Sequence, residues 1–284
     1  MISDKQALKI ELPRILVIGT ASLDILHLNL LQPPQTIHTV GGAGLYTALA
    51  AAKAGAHVTL FAPKPTTMPQ ALQPAAKLIE WIGPICEADN LPRLEIAHYG
   101  NGKAELKGAS WGAELTMTPE ELPDDLSDYA FVHIAALSSA QRQLEFLNGC
   151  RQRGATQISV GTYARLVHNQ SDTVRELQTT ANLFFMNENE CKGLFGSIEA
   201  AHEAENAILF VTLGERGALV LHNHKRLALP AQVTNEQDPT GAGDTFCGAT
   251  LAKLAQGEEI EQAARFGGKW AAKTIAFPGP FALL

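Results

Sequence analysis

Short continuous apolar runs alternate along this chain with longer stretches in which apolar residues recur every three or four positions. Arg14-Ile15-Leu16-Val17-Ile18-Gly19 is such a run, closed by glycine, and His57–Ala62, Tyr129–Ile134, Thr156–Val160, Leu183–Met186, Ala207–Thr212 and Gly217–His222 repeat the pattern. Runs of this length without polar alternation predict strands buried on both faces. Between them, helices are expected over 45–54, closed by Gly55, and over 71–82, 140–153, 172–180, 188–195, 245–256 and 260–274. Thr118-Pro119-Glu120-Glu121 adds a helix start with acids in its first turn. Strand–helix alternation over most of the chain predicts an α/β fold with a mainly parallel sheet covered on both sides.

One stretch breaks this rhythm. Residues 93–98 and 103–107 alternate apolar and polar positions around the turn residues Tyr99-Gly100-Asn101-Gly102, which predicts a two-stranded hairpin with one polar face. A ribbon with so little core of its own either lies across something, as a lid, or is an inert surface hairpin, and pattern alone does not choose. The expected organisation is a single domain over 1–284 with this hairpin, 93–107, inserted.

Composition narrows the class. The chain has 284 residues, 46% of them hydrophobic, enough for a substantial core. A net charge of −7 argues against nucleic acid or an anionic membrane surface as partner. Cys86, Cys150, Cys191 and Cys247 form no C-x-x-C pair, so reduced thiols are expected. No stretch of about 18 uncharged apolar residues occurs, and Met1–Pro13 lacks a signal-peptide apolar region. A cytoplasmic protein is the expectation.

The candidate chemistry concentrates in Asp238-Pro239-Thr240-Gly241-Ala242-Gly243-Asp244-Thr245. Two glycines flanking an alanine, followed by helix formers, predict a tight loop over a helix start, whose unpartnered N–H groups seat an anion. Asp244 beside that seat makes chemical sense if it takes a proton from whatever attacks a bound phosphate. Asp24 lies just past the first strand, where open α/β sheets bind ligands, although a turn or cap fits the position equally well. Gly41-Gly42-Ala43-Gly44 opens an alanine-dominated helix at which a ligand can approach the backbone. There is no G-x-x-x-x-G-K-[ST], and Gly241-Ala242-Gly243 neither continues to a third glycine nor follows the first strand, which disfavours a dinucleotide-dependent oxidoreductase.

Four pieces together resemble the ribokinase-like (PfkB) carbohydrate kinases, in that family's order. Gly41–Gly44 is similar to the di-glycine signature, Asn187-Glu188-Asn189-Glu190 to the N-x-x-E motif, Val211–Gly217 to the nucleotide-loop segment, and Asp238–Asp244 to the D-T-x-G-A-G-D signature. The resemblance spans essentially the whole chain. It implies a three-layer α/β/α fold with a small β lid, and ATP-dependent phosphorylation of a hydroxyl on a sugar or sugar-like compound. By that resemblance Asp244 is the general base, and the amides of Gly241, Ala242 and Gly243 stabilise the transferring phosphoryl group. Asp24, Gly41 and Gly42 hold substrate hydroxyls, with Tyr46 beside them. Asn187, Thr212, Gly214, Gly217 and Thr240 line the nucleotide cleft, and Glu190 organises Mg²⁺. The family also admits a monovalent cation such as K⁺, with oxygens from Asp238, Thr240 and 274–279, and a homodimer through the lid. Taken alone, Asn187 reads as an N-cap, Glu190 as a solvated helix residue and Thr212 as a strand end.

Three positions depart from the family pattern. Tyr46 stands where relatives usually carry Asn, Ala43 where Lys is common, and the strand ending at Val160 is not followed by an acid. Ribose itself is therefore disfavoured as the acceptor, and a nucleoside or inositol-like kinase is the second reading. A nucleotide- or sugar-binding sensor without turnover is the reading from a different class.

Overall fold

The computed structural model describes residues 11–29, 33–100 and 103–284; the stretch 1–10 and the predicted turn at Asn101-Gly102 lie outside it. In chain order the strands are β1 (Arg14–Ile18), β2 (Ser22–Leu28), β3 (Gln35–Gly41), β4 (His57–Phe61), β5 (Lys64–Pro65), β6 (Glu80–Ile82), β7 (Ile85–Cys86), β8 (Arg93–Gly100) and β9 (Lys103–Ser110). They continue as β10 (Phe131–Ile134), β11 (Ile158–Gly161), β12 (Leu183–Asn187), β13 (Ile208–Thr212), β14 (Ala218–His222) and β15 (Lys225–Leu229). The α-helices are α1 (Ala43–Lys53), α2 (Gln73–Ala76), α3 (Ala140–Gln152), α4 (Ala164–Asn169), α5 (Ser171–Thr180), α6 (Glu188–Phe195), α7 (Ala242–Ala255) and α8 (Ile260–Ile275).

Nine strands form the central sheet in the order β15-β14-β13-β12-β11-β10-β1-β4-β6. It is parallel from β6 to β13 and antiparallel beyond. Side chains of a strand point to alternate faces, so continuous apolar runs feed two cores at once. Ile15 and Val17 join one core with α1 and α7, while Leu16 and Ile18 join the other with α3, α5 and α6. That is the expected three-layer α/β/α arrangement. On the first face Phe185 stacks on Phe210 at 4.4 Å between centroids, and Phe246 of α7 meets both edge-on at 6.1 Å.

A second sheet, ordered β3-β2-β8-β9, stands apart from the first. The predicted hairpin is β8–β9, pairing from Arg93↔Ser110 to Gly100↔Lys103. Its neighbours β2 and β3 were not expected, because Ser22 and Asp24 place polar side chains on the buried face of β2 and break the apolar alternation. The predicted helix over 71–82 is a correction. A 3-10 turn and the four-residue α2 occupy 70–76, and Glu80–Ile82 leaves to pair with β4 as an edge strand. The start at Thr118 yields only a capped 3-10 turn, and α4 and β15 were not foreseen.

Replacing Phe210, fully buried in the aromatic stack, by Ala is expected to cost about 3–5 kcal/mol of stability, measured by urea unfolding. A loss below about 1 kcal/mol would show that the stack does not tie α7 to the sheet.

Candidate active site

Of the predicted site residues, Asn187 and Thr212 end neighbouring parallel strands of the central sheet, Asp24 and Gly41 belong to the second sheet, Tyr46 to α1 and Asp244 to α7. Asp24 is a correction to the turn-or-cap reading, since it sits inside β2 opposite Thr39. It is 2% exposed, and its Oδ1 accepts the Leu94 N–H at 3.3 Å. Gly41, at the end of β3, leaves room for it: a Cβ there would lie 1.9 Å from the Asp24 Oδ2. Burial pushes the Asp24 carboxyl up to about 6, with the Leu94 bond pulling the other way. Gly42 caps the N-terminus of α1, whose Tyr46 lies near enough to Asp24 to feel its charge.

Tyr46 is the pivot of the arrangement. It is 1% exposed, and its hydroxyl has no hydrogen-bond partner among the described residues. Its ring occupies the space beside Gly241, where a Cβ would meet it at 2.3 Å. Burial first, and then the charges of Asp238, Asp24 and Asp244, raise the phenol well above its usual range. One side chain therefore senses both the β2 carboxylate and the two carboxylates of the signature loop.

Gly241, left-handed with φ 73°, is the N-cap of α7, and no side chain caps this helix. The Ala242 N–H turns back to the Pro239 carbonyl at 3.3 Å. Gly243 is exposed, with nothing within 4 Å of the place a Cβ would take. The first turn is thus open to an incoming anion at Gly243. The helix begins three residues earlier than expected, which places Asp244 inside the first turn. Asp244 is partly exposed, so a ligand can touch it although most of its surroundings are protein. Burial pushes its carboxyl up to about 7, against the opposing bond from its own N–H.

Asn187 and Glu190 begin α6 as a capping box. Asn187 Oδ1 accepts the Glu190 N–H at 3.0 Å. Glu190 in return accepts the Asn187 N–H at 2.7 Å and its Nδ2 at 2.6 Å. Glu190 is 4% exposed rather than solvated, and burial, with Asp244 adding to it, pushes it up to about 8. Thr212 ends β13 in register with Asn187. Gly214 and Gly217 follow in the turn to β14, where the Leu213 N–H reaches the Gly217 carbonyl at 2.7 Å. Four strand spacings, about 19 Å, separate β13 from β1, so these two glycines stand apart from the Asp24–Tyr46 cluster.

Thr240 turns away from the Asn187 side. Its Oγ1 lies 2.8 Å from His98 Nε2, and its N–H donates to Asp238 Oδ1 at 2.9 Å. Asp238 Oδ2 accepts the Gly279 N–H at 2.6 Å, and His98 Nε2 lies 3.2 Å from Oδ1. His98 did not emerge from the motifs. Its signal was a histidine at an apolar position of an alternating strand. Among the described residues no three His, Cys, Asp or Glu side chains converge as a metal cluster. No helix there is long and apolar enough to cross a membrane.

A family model described as "pfkB family carbohydrate kinase" matches residues 92–281. Cytidine kinase of Thermococcus kodakarensis is 26% identical over 262 residues, 89% of this chain and 92% of its own. A probable sugar kinase of Rhizobium etli superposes with a TM-score of 0.80 at 20% identity, covering 95% of each chain. Adenosine kinase of Sinorhizobium meliloti superposes with a TM-score of 0.79 at 18% identity, covering 94% of this chain and 95% of its own. The structural likenesses establish the ribokinase-like fold.

Asp24, Asp244 and Glu190 hold protons in the fold more tightly than in the unfolded chain, where they titrate near pH 4. Between about pH 4 and pH 8 these three groups bind more protons in the fold, so their contribution to stability falls as pH rises, opposed below about pH 6.5 by His98 and His133, which burial keeps neutral. The ligand-free protein is expected to melt at a lower temperature at pH 8 than at pH 5.5, with a smaller fall in Asp244→Asn and Glu190→Gln. Equal slopes in wild type and both variants would remove these groups from the account.

Proposed function

The chain belongs to the pfkB family of carbohydrate kinases, and from that premise we propose that it transfers the γ-phosphoryl group of ATP to a hydroxyl of a sugar or sugar-bearing small molecule. The observation that carries the reading is Asp244, reachable by ligand and poised near neutrality, in the first turn of a helix whose N-terminus opens at Gly243. A general base works best with a pKa near the working pH. Asp244 orients the acceptor hydroxyl and takes its proton as the oxygen attacks the γ-phosphorus. The Gly241-Ala242-Gly243 turn, open at Gly243, receives the charge on the transferring group, and the Ala242 N–H joins in by leaving the Pro239 carbonyl it meets in the ligand-free protein, since catalysis of this kind is mainly positioning and electrostatics.

Asp24 and the Tyr46 hydroxyl, both buried, hold the acceptor; Gly41 leaves Asp24 its place, and Gly42 lets the start of α1 pass close to the Thr20 carbonyl. Asn187 and Thr212, side by side at the strand ends, shape the nucleotide side with Gly214 and Gly217, whereas Thr240 is bonded to His98 and Asp238 and leaves that set. The β3-β2-β8-β9 sheet serves as the lid, with the 93–107 hairpin at its margin, excluding water that would otherwise consume ATP.

Glu190 and Asp244 suit Mg²⁺, because two hard carboxyl groups lie close enough for the charge of one to raise the other. They would face the ion through its water shell. Bound there, Mg²⁺ supplies charge neutralisation for the phosphates. Asp238 suits a monovalent cation less well, since Thr240 N–H, Gly279 N–H and His98 already occupy its oxygens. No step is assigned to such an ion. A nucleoside acceptor is the second reading, favoured by the near full-length likeness to a cytidine kinase.

With Mg²⁺-ATP and a panel of sugars, polyols and nucleosides, ADP release is expected with at least one acceptor. Failure of every acceptor with ATP still bound would point instead to a non-catalytic sensor. With the active acceptor, kcat/KM should rise with pH up to about 7 and then level, as the base loses its proton. Asp244→Asn should lower kcat by about 10²–10⁴-fold with little change in ATP affinity, and full turnover by this variant would remove Asp244 as the base. Gly41→Ala puts a methyl against Asp24 and should raise the acceptor KM by about tenfold or more, leaving the ATP KM unchanged. An unchanged acceptor KM would place the hydroxyl elsewhere.

A further inference from the structure

We propose that His98 is a positioning residue through which the β3-β2-β8-β9 sheet sets the loop that precedes α7. The inference rests on the kinase reading and adds to it a residue that no signature motif contains. His98 belongs to β8, yet its imidazole leaves the sheet and is 2% exposed against the 238–240 loop. Nε2 lies 2.8 Å from Thr240 Oγ1 and 3.2 Å from Asp238 Oδ1.

The donor directions follow from Asp238. Its Oδ1 already accepts the Thr240 N–H and its Oδ2 the Gly279 N–H, so the carboxylate acts as an acceptor and Nε2 carries the proton shared with it. The backbone on the other side is tied down as well, because the Gln237 and Asp238 N–H groups both donate to the Ile275 carbonyl at 2.8 and 3.1 Å. Thr240 is thus held by its own bonds to His98 and Asp238 at the end of an anchored segment, and the residue after it is Gly241, the N-cap of α7, against which the Tyr46 ring packs. A shift of the lid-borne imidazole moves the Thr240 side chain, and with it the turn that presents Gly243 and Asp244.

Burial outweighs the nearby Asp238 and Glu236 charges and lowers the His98 pKa, which keeps the ring neutral at working pH. Nδ1 is then an acceptor, and it has no hydrogen-bond partner among the described residues. A histidine that only filled space would need no bond to the signature loop. Here the bond joins the sheet that covers the acceptor to the loop that seats the phosphate. It makes the phosphate seat depend on whether the lid is down.

The test compares His98→Ala, His98→Gln, whose amide keeps a donor, and Thr240→Val, which keeps the shape and removes the hydroxyl. The Ala and Val variants are expected to raise the acceptor KM about five- to tenfold, as loss of one hydrogen bond would. They should also release ADP in excess of phosphorylated product, because water reaches ATP, with the ATP KM within about twofold of wild type. Gln should restore most of the coupling. Amide hydrogen exchange should rise together over 93–98 and 238–245 in the Ala and Val variants. One ADP per product, an unchanged acceptor KM and unaltered exchange at 238–245 in a folded variant would overturn the proposal while leaving the kinase reading intact. If the wild type phosphorylates no acceptor, the kinase reading fails and hydrogen exchange decides alone. A joint rise then supports the link, and a rise confined to 93–98 overturns it. Should His98→Ala not fold, Thr240→Val carries the same measurements.

Discussion

The site depends on carboxyl groups withdrawn from water and left, among the described residues, without a cationic partner. Asp24, Asp244 and Glu190 are each pushed upward by burial, to about 6, 7 and 8. Removing an ionised carboxylate from water is costly, and the fold bears that cost at several points of one cleft. The rest of the design follows from it. Tyr46 can stand among three carboxylates only because its phenol stays protonated there. Glu190 is held by its own capping box rather than by a cation. The open helix N-terminus of α7 adds the only fixed positive potential described at the signature turn, and it is aimed outward, toward Gly243.

The scaffold makes that concentration tolerable. Continuous apolar runs bury both faces of the central sheet, and the stacked Phe185, Phe210 and Phe246 bind α7 to it. α7 in turn approaches α1 so closely that a Cβ on Gly248 would lie 2.1 Å from the Thr47 carbonyl oxygen. The two helices that carry Tyr46 and Asp244 are therefore fixed relative to each other by packing, at Thr47 beside Tyr46 and at Gly248 one turn beyond Asp244. Positions needed for chemistry are held by residues that take no part in it.

Much of this was legible in the chain. The strands of the central sheet announced themselves because a strand buried on both faces is apolar throughout. Asp244, the glycines around it and the Asn187–Glu190 pair were found because short motifs keep their spacing wherever the fold places them. The β3-β2-β8-β9 sheet was only half visible. β2 buries every second residue, but Ser22 and Asp24 sit among those buried positions and Leu23 and Ile25 among the others, so its apolar residues do not alternate as its burial does, and β3 is exposed or half-buried over most of its length. The 71–82 stretch read as a helix, and its last residues were taken by pairing with the edge of β4, a contact between distant parts of the chain that outweighs local propensity.

By itself the sequence determined the layered α/β architecture, the family and the Asp238–Asp244 motif at the start of α7, because each rests on local pattern or on a contiguous motif. Only the tertiary structure decided that Asp24 is a buried strand residue, that the Tyr46 ring packs on Gly241, and that Thr240 faces His98 across 142 residues. Those facts concern desolvation and long-range proximity. Neither is encoded at any single position, since both arise from what the rest of the fold brings alongside.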